Sequence, residues 1–75
     1  MVIVDTGDVI RLPQDVLIWR DHKVNGVVLT DYLRLPTQRY GFFNEEVSST
    51  VAEIIIDGHA WYVERQDIFE ANNSY

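Results

Sequence analysis

The 75-residue chain contains no cysteine, only two prolines and four glycines, and few basic residues. Without cysteine it cannot form a disulfide, a thiolate nucleophile or a cysteine-ligated zinc site. Six Lys and Arg against twelve Asp and Glu give a net charge of −6 and a pI near 4.5. Because nucleic-acid binding depends on cations that displace condensed counterions, we expect no nucleic-acid partner.

Long hydrophobic runs are absent as well. No segment approaches the roughly 20 apolar residues that span a bilayer, and Asp5 interrupts the apolar start of the chain, unlike a signal peptide. We therefore expect no membrane partner and no secretion, and a location in the cytoplasm of a host cell or in a virion. The length suits one domain, predicted over residues 1–70, with a flexible C-terminal tail over 71–75.

What the chain does contain is a series of short β-type runs separated by turn residues. Val and Ile are frequent, whereas helical periodicity is weak. Turns are predicted at 5–8, where Gly7 can take a positive φ, and at Asn25-Gly26. The runs are residues 2–4, 9–12, 15–20, 27–29 with an extension toward 35, 51–56, 59–64 and 68–69. We predict an all-β fold of about five short antiparallel strands.

The hairpin that brackets Asp57-Gly58 is the most completely specified element. An Asp-Gly pair between two alternating runs favours a two-residue type I′ turn, which fixes the register and places Ile54 opposite Trp61. Residues 65–67 are predicted to form one 3₁₀ turn after it. The face of the hairpin that is predicted to enter the core consists of Ala52, Ile54, Ile56, Trp61 and Val63.

Residues 36–50 have a different character and are predicted to form a long loop. The segment is rich in turn-forming and polar residues, and ordered loops of this length usually serve a function. Its rings, Tyr40, Phe42 and Phe43, lie beside Arg39 and have two interpretations. Phe42 and Phe43 could fold back over one end of the core, or the group could be an exposed anchor, since aromatic and Arg side chains are enriched in interface centres.

Alternation along the runs adds two aromatic residues to this candidate surface. Trp19 falls on the face opposite to Val16 and Ile18, and Tyr62 falls on the mixed face of the last hairpin. The predicted protein-binding residues are Trp19, Arg39, Tyr40, Phe42, Phe43 and Tyr62.

The sequence offers little for catalysis or for a bound metal. His22 and His59 are the only imidazoles, and they belong to different turns, whereas a metal site needs three or four converging ligands. Ser48 has no nucleophile-elbow sequence around it, and the four glycines do not form a phosphate loop. We therefore expect no enzyme activity, no cofactor, no metal and no small-molecule substrate.

Two segments resemble a known fold. Residues 7–13, Gly-Asp-Val-Ile-Arg-Leu-Pro, resemble the opening strand of SH3-like barrels, and residues 57–68 resemble their closing hairpin, 3₁₀ turn and last strand. Together the two segments cover about a quarter of the chain. The same frame is similar to short proteins of tailed phages of marine bacteria, including cyanobacterial ones. The resemblance implies a small SH3-like barrel with one 3₁₀ turn and a phage origin, and it implies no catalytic residue.

These observations lead to two hypotheses for function. The first is a non-enzymatic protein-interaction module, a phage accessory or virion structural protein that binds a protein partner or forms a homo-oligomer through the exposed aromatic loop. The alternative is a host-directed inhibitor whose acidic side chains dock on a basic surface of a nucleic-acid-processing enzyme. High salt should dissociate the second type of complex and spare the first. The acidic residues could also serve only to keep a small domain soluble.

Overall fold

In the computed structural model, which describes residues 5–70, one antiparallel sheet contains all the strands. Six strands have four to eight residues, and a seventh has two. In chain order the elements are β1 (Val9–Leu12), β2 (Leu17–Val24), β3 (Val27–Arg34), β4 (Arg39–Glu46), β5 (Val51–Ile56), β6 (His59–Glu64), a 3₁₀ turn (Arg65–Asp67) and β7 (Phe69–Glu70). The all-β prediction is confirmed, with six full strands in place of about five. The predicted run 2–4 and the predicted tail 71–75 lie outside the described residues.

The order of strands in the sheet is β3-β2-β6-β5-β4-β1-β7. Strands β4, β5 and β6 follow one another as a meander, and β1 pairs with both β4 and the C-terminal strand β7. The strand β2 then pairs with β6, and it carries β3 as the outermost strand on that side. The two ends of the sheet are therefore a long strand, β3, and a short one, β7.

The β5–β6 hairpin has the predicted turn and the predicted register. Asp57 and Gly58 have φ values of 52° and 80°, as a type I′ turn requires, and Ile54 lies directly opposite Trp61. The core face is also confirmed except at Trp61, which is half-buried and packs against the edge of the core. The buried hydrophobic residues are Ile10, Leu12, Val16, Ile18, Leu35, Phe43, Ala52, Ile54, Ile56, Val63 and Ile68.

The predicted long loop is wrong over most of its length, because residues 39–46 form β4. This strand pairs with β1 along residues 39–42 and with β5 along residues 42–46, so its backbone hydrogen bonds are made within the sheet. Gly41 is needed here because the backbone of β5 lies close to it, and not because the chain turns at this position. A Cβ at that position would lie 2.6 Å from the carbonyl oxygen of Ile55 on the neighbouring strand.

The boundaries of two other predicted runs also move. The run at 15–20 becomes β2 from Leu17, because Asp15 takes a positive φ of 72° that a strand cannot contain. The polar residues that follow Trp19 do not end this strand, which continues to Val24. At the C-terminal side, Ile68 caps the 3₁₀ turn by donating its N–H to the carbonyl of Arg65, so the last strand starts one residue later, at Phe69.

The β2–β3 hairpin extends beyond the rest of the sheet. Only Ile18 and Trp19 of β2 pair with β6, so residues 20–31 form a two-stranded ribbon closed at Asn25-Gly26. We call residues 20–31 the arm and the rest of the described chain the body. Every residue of the arm is exposed. Five residues per strand make the arm roughly 17 Å long, in a molecule that measures 48 × 25 × 21 Å.

Candidate functional site

Two of the predicted site residues meet on the outer face of the sheet. Trp19 on β2 lies directly opposite Tyr62 on β6. Their ring centroids are 6.4 Å apart and the planes are tilted by 42°, which is within the range of favourable aromatic pairs. Both side chains are half-buried. Each ring contacts the other, and part of each ring stays open to solvent.

A third ring, Tyr32 on β3, extends this pair, and the sequence interpretation missed it. Tyr32 lies directly opposite Trp19, with ring centroids 6.5 Å apart, and it is 66% exposed. The position of Tyr32 follows from the sequence, because pairing outward from the two-residue turn at Asn25-Gly26 brings Trp19 opposite Tyr32. We call Tyr32, Trp19 and Tyr62 the aromatic row.

The aromatic residues of β4 divide between the two faces of the sheet. Tyr40 and Phe42 point to the outer face and are 56% and 52% exposed. Phe43, by contrast, is buried in the core, where the Arg65 guanidinium lies 5.8 Å from the centre of its ring. The interpretation in which Phe43 belongs to the core therefore applies to this ring, and Phe43 cannot contact a partner as a surface residue.

Phe42, one of the two outer-face rings on β4, belongs to the row next to the aromatic row. Phe42 opposes Ile55 of β5, and Ile55 opposes Ala60 of β6, two residues from Tyr62. Because residues two apart on a strand share a face, the register places Phe42 and Tyr62 on the same side of the sheet. Between Phe43 and Glu45 the register shifts at Asn44, whose amide donates to the Glu53 carboxylate at 2.6 Å. These Asn and Glu side chains border the apolar rows.

Arg39 is not part of this surface. Its guanidinium pairs with the carboxylate of Asp57, in the turn of the β5–β6 hairpin. Arg11 takes the position next to Tyr40 on the outer face, and its guanidinium lies 4.9 Å from the ring centre of Phe69. The cation that borders the outer aromatics is therefore Arg11, and Arg39 instead links β4 to a turn.

A groove of about 500 Å³ lies next to the aromatic row. Trp19 forms part of its wall, so the row and the groove are continuous. Asp15, Glu64 and Asp67 line the groove together with Arg34, whose guanidinium donates to the backbone carbonyl of Asp15 at 2.9 Å. Three carboxylates against one guanidinium give the groove an acidic character.

The described part of the chain brings no group of potential metal ligands together. Within residues 5–70, no three His, Cys, Asp or Glu side chains converge closely enough to hold a metal ion. The Nδ1 atom of His22 lies 3.3 Å from the Asp31 carboxylate in the arm, and His59 follows the turn of the last hairpin. No helix in this part of the chain is long and apolar enough to cross a membrane.

Comparison of the chain with protein-family models, with curated proteins and with solved structures gives no match. The function proposed for this chain therefore rests on the geometry of the aromatic row and the groove beside it.

Proposed function

We propose that this chain is a non-enzymatic protein-interaction module that binds a protein partner through the outer face of its sheet. The observation that carries the proposal is the aromatic row of Tyr32, Trp19 and Tyr62. Tyr and Trp are the residues most enriched in the energetic centres of interfaces, because they combine large area with few rotatable bonds. Here neighbouring rings and the strands beneath them hold the row in place, so little side-chain entropy remains to be lost on binding.

The surface around the row has the composition that an interface needs. Phe42 adds a second exposed ring in the next row, and Glu53 borders the row at its far end. Trp19 is shared with the acidic groove, so a partner that covers the row would also reach the carboxylates there. An apolar centre with a charged rim is the usual arrangement of a protein interface.

The SH3-like barrel is the fold that we propose for this sheet. Three features support it: the C-terminal strand β7 lies beside β1, strands β4, β5 and β6 form a meander, and a 3₁₀ turn precedes the last strand. The long β2–β3 hairpin is then an elaboration of a small barrel. The origin in a phage, as an accessory or virion protein, stays a prediction from the sequence resemblance.

The test is capture of a partner by matched variants. Tyr32→Ser removes the most exposed ring of the row, and Val47→Ser removes an exposed apolar side chain from the β4–β5 connection. We expect the immobilised wild type and Val47→Ser to retain the same protein from a host lysate, and Tyr32→Ser to lose it, with equal melting temperatures for all three. If the three proteins retain the same set, the aromatic row is not the binding surface.

The groove favours one alternative function, a host-directed inhibitor that docks on a basic protein surface. The specific observation is that Asp15, Glu64 and Asp67 line one depression in a chain of net charge −6. Such a complex should dissociate as salt is raised, because exposed charges are screened beyond about 8 Å at physiological ionic strength. Glu64→Gln with Asp67→Asn should then abolish capture, whereas binding through the aromatic row should survive both the salt and these changes.

A further inference from the structure

Within residues 5–70, the arm leaves strand edges without neighbours. β2 pairs with β6 only at Ile18 and Trp19, so its residues 20–24 have one neighbouring strand among the described ones. β3 is the end strand of the described sheet, and its outer edge is open along all eight of its residues there. A two-stranded ribbon by itself is only marginally stable in water, so a strand added to either edge would stabilise the arm.

The turn at Asn25-Gly26 determines which backbone groups face these edges. A two-residue turn is closed by a hydrogen-bonded pair, here Val24 and Val27, and such pairs alternate with non-hydrogen-bonded pairs along the hairpin. The backbone N–H and C=O groups of every second residue therefore point away from the partner strand. On β3, the residues whose backbone groups point to the open edge are Val28, Thr30, Tyr32 and Arg34.

The two edges of the arm differ in charge. On the β2 side, the outward-pointing backbone groups of the arm belong to Asp21 and Lys23. Charged residues, Lys above all, are the means by which proteins prevent a free edge from pairing. On the β3 side the corresponding residues of the arm are Val28 and Thr30, which carry no charge, and the charged Arg34 lies outside the arm at the end of β3. Within the arm, the β3 edge is therefore the one that lacks this protection.

The charge of the whole molecule is also compatible with a second copy at this edge. The arm contains two basic residues, Arg20 and Lys23, and two acidic residues, Asp21 and Asp31, which cancel. The other four basic and ten acidic residues lie outside the arm, so the net charge of −6 belongs to the rest of the chain. Two copies that meet through their arms keep the two charged bodies apart, where salt screens their repulsion.

We propose that two copies of this chain associate by antiparallel pairing of their β3 strands, with the twofold axis at Thr30. This inference goes beyond the proposed function, because the backbone of β3 mediates it and two rings of the aromatic row, Trp19 and Tyr62, lie on other strands. In an antiparallel pair of β3 strands, residues whose backbone groups point to the open edge must lie opposite one another. These are every second residue of β3, so the twofold axis must pass through a residue and not between two residues.

The register centred on Thr30 pairs residues 27–33 of both copies, whereas the register centred on Leu29 pairs only residues 27–31. The register centred on Thr30 places Val28 of one copy beside Tyr32 of the other, and Val27 beside Leu33, and symmetry forms each pair twice. Aromatic with β-branched and apolar pairs of this kind stabilise an antiparallel sheet. The register centred on Asp31 would instead oppose two carboxylates at the axis, and directly opposed like charges destabilise a sheet.

The first test uses the absence of cysteine from the chain, since any engineered cysteine is then unique. Directly opposed residues in a hydrogen-bonded pair have Cα atoms about 5.5 Å apart, a separation that a disulfide can bridge. We expect Thr30→Cys to form a disulfide-linked dimer on mild oxidation. Val28→Cys should not link to itself, because its two copies are offset by about 13 Å along the strands. A mixture of Val28→Cys and Tyr32→Cys should give the mixed dimer.

The second test is sedimentation equilibrium of matched variants. Val28→Pro removes an N–H that points to the open edge while leaving the hydrogen bonds between β2 and β3, and Val28→Thr retains both the donor and the β-branched shape. Each copy loses one intermolecular hydrogen bond in Val28→Pro, so we expect its dimer Kd to rise about tenfold or more. The Val28→Thr dimer should stay within about threefold of the wild type.

One paired strand buries less surface than a standard interface of about 1,600 Å², so the expected Kd is micromolar or weaker. A wild type that stays monomeric up to about 1 mM would overturn the proposal. So would a Val28→Pro protein that dimerises like the wild type, or Val28→Cys that links to itself as readily as Thr30→Cys. Loss of partner capture by Tyr62→Ser, a change in the aromatic row outside β3, with unchanged crosslinking at Thr30 would separate this interface from the aromatic row.

Discussion

Two hairpins of this protein, β2–β3 and β5–β6, have almost the same turn and very different surroundings. Asn25 and Gly26 close the β2–β3 hairpin with φ values of 51° and 81°, and Asp57 and Gly58 close the β5–β6 hairpin with 52° and 80°. The second hairpin lies between β4 and β2, and its inner face is core. Among the described residues, the first has a neighbouring strand only at its base, and all of its arm is exposed. A turn therefore specifies a hairpin and its register, and the neighbouring strands decide whether the hairpin is buried.

Among matched changes in core and surface, we expect the largest difference in lost free energy of unfolding at two adjacent phenylalanines of β4. Phe43 is 5% exposed and Phe42 is 52% exposed. Phe43→Ala should lower the free energy of unfolding by about 3–5 kcal/mol, because it removes a buried ring and leaves a cavity. Phe42→Ala should change it by less than about 1 kcal/mol. Urea denaturation measures both, and equal losses would mean that the two rings are buried alike.

The next effect concerns the close approach of β4 to β5. A methyl group on residue 41 would meet the backbone of Ile55, which cannot move without disturbing the β5–β6 hairpin. Gly41→Ala should therefore cost about 2–3 kcal/mol, whereas Thr37→Ala, an exposed change before the same strand, should cost less than about 0.5 kcal/mol. A Gly41→Ala protein as stable as the wild type would show that β4 and β5 are further apart.

The matched turns give a direct comparison of body and arm. A Cβ meets no atom within 4 Å at Gly26 or at Gly58, so valine at either position introduces backbone strain alone, about 1–2 kcal/mol. Gly58→Val should lower the melting temperature, because that hairpin unfolds together with the core. Gly26→Val should leave the melting temperature nearly unchanged and speed amide hydrogen exchange in the arm. Equal shifts in melting temperature would indicate that arm and body unfold as one unit.

The smallest effect is expected at the junction of arm and body. The Arg20 guanidinium lies 4.7 Å from the ring centre of Trp61, at the base of the arm. Arg20→Gln should cost about 0.5–1 kcal/mol through loss of this cation–π contact. Lys23→Gln makes the same change of charge nearer to the turn and should cost almost nothing. Denaturation curves followed by tryptophan fluorescence would distinguish the two, and equal effects would exclude a specific role for the ring.

Part of the candidate site could be predicted from the sequence because it depends on alternation alone. Trp19 and Tyr62 follow apolar residues that point inward, so their outward position is a property of each strand. Phe43 is different. Both it and Phe42 fit an exposed loop or a strand by composition, and the inward position of Phe43 follows from pairing with β1 and β5, which are distant in sequence. The backbone of Phe43 is also held by Gly7 and Asp8 through two hydrogen bonds.

The sequence by itself determined the features that depend on neighbouring residues: the all-β class, the two Asx-Gly turns, the register of the β5–β6 hairpin and the 3₁₀ turn at 65–67. Tertiary structure alone decided that residues 39–46 are a strand, that Gly41 lies against Ile55, and that the β2–β3 hairpin leaves the body at residue 20. The physical reason is the range of the interactions. Turn conformations and side-chain alternation are set within a few residues, whereas a strand becomes central or peripheral only through partners that the chain supplies from far along its length.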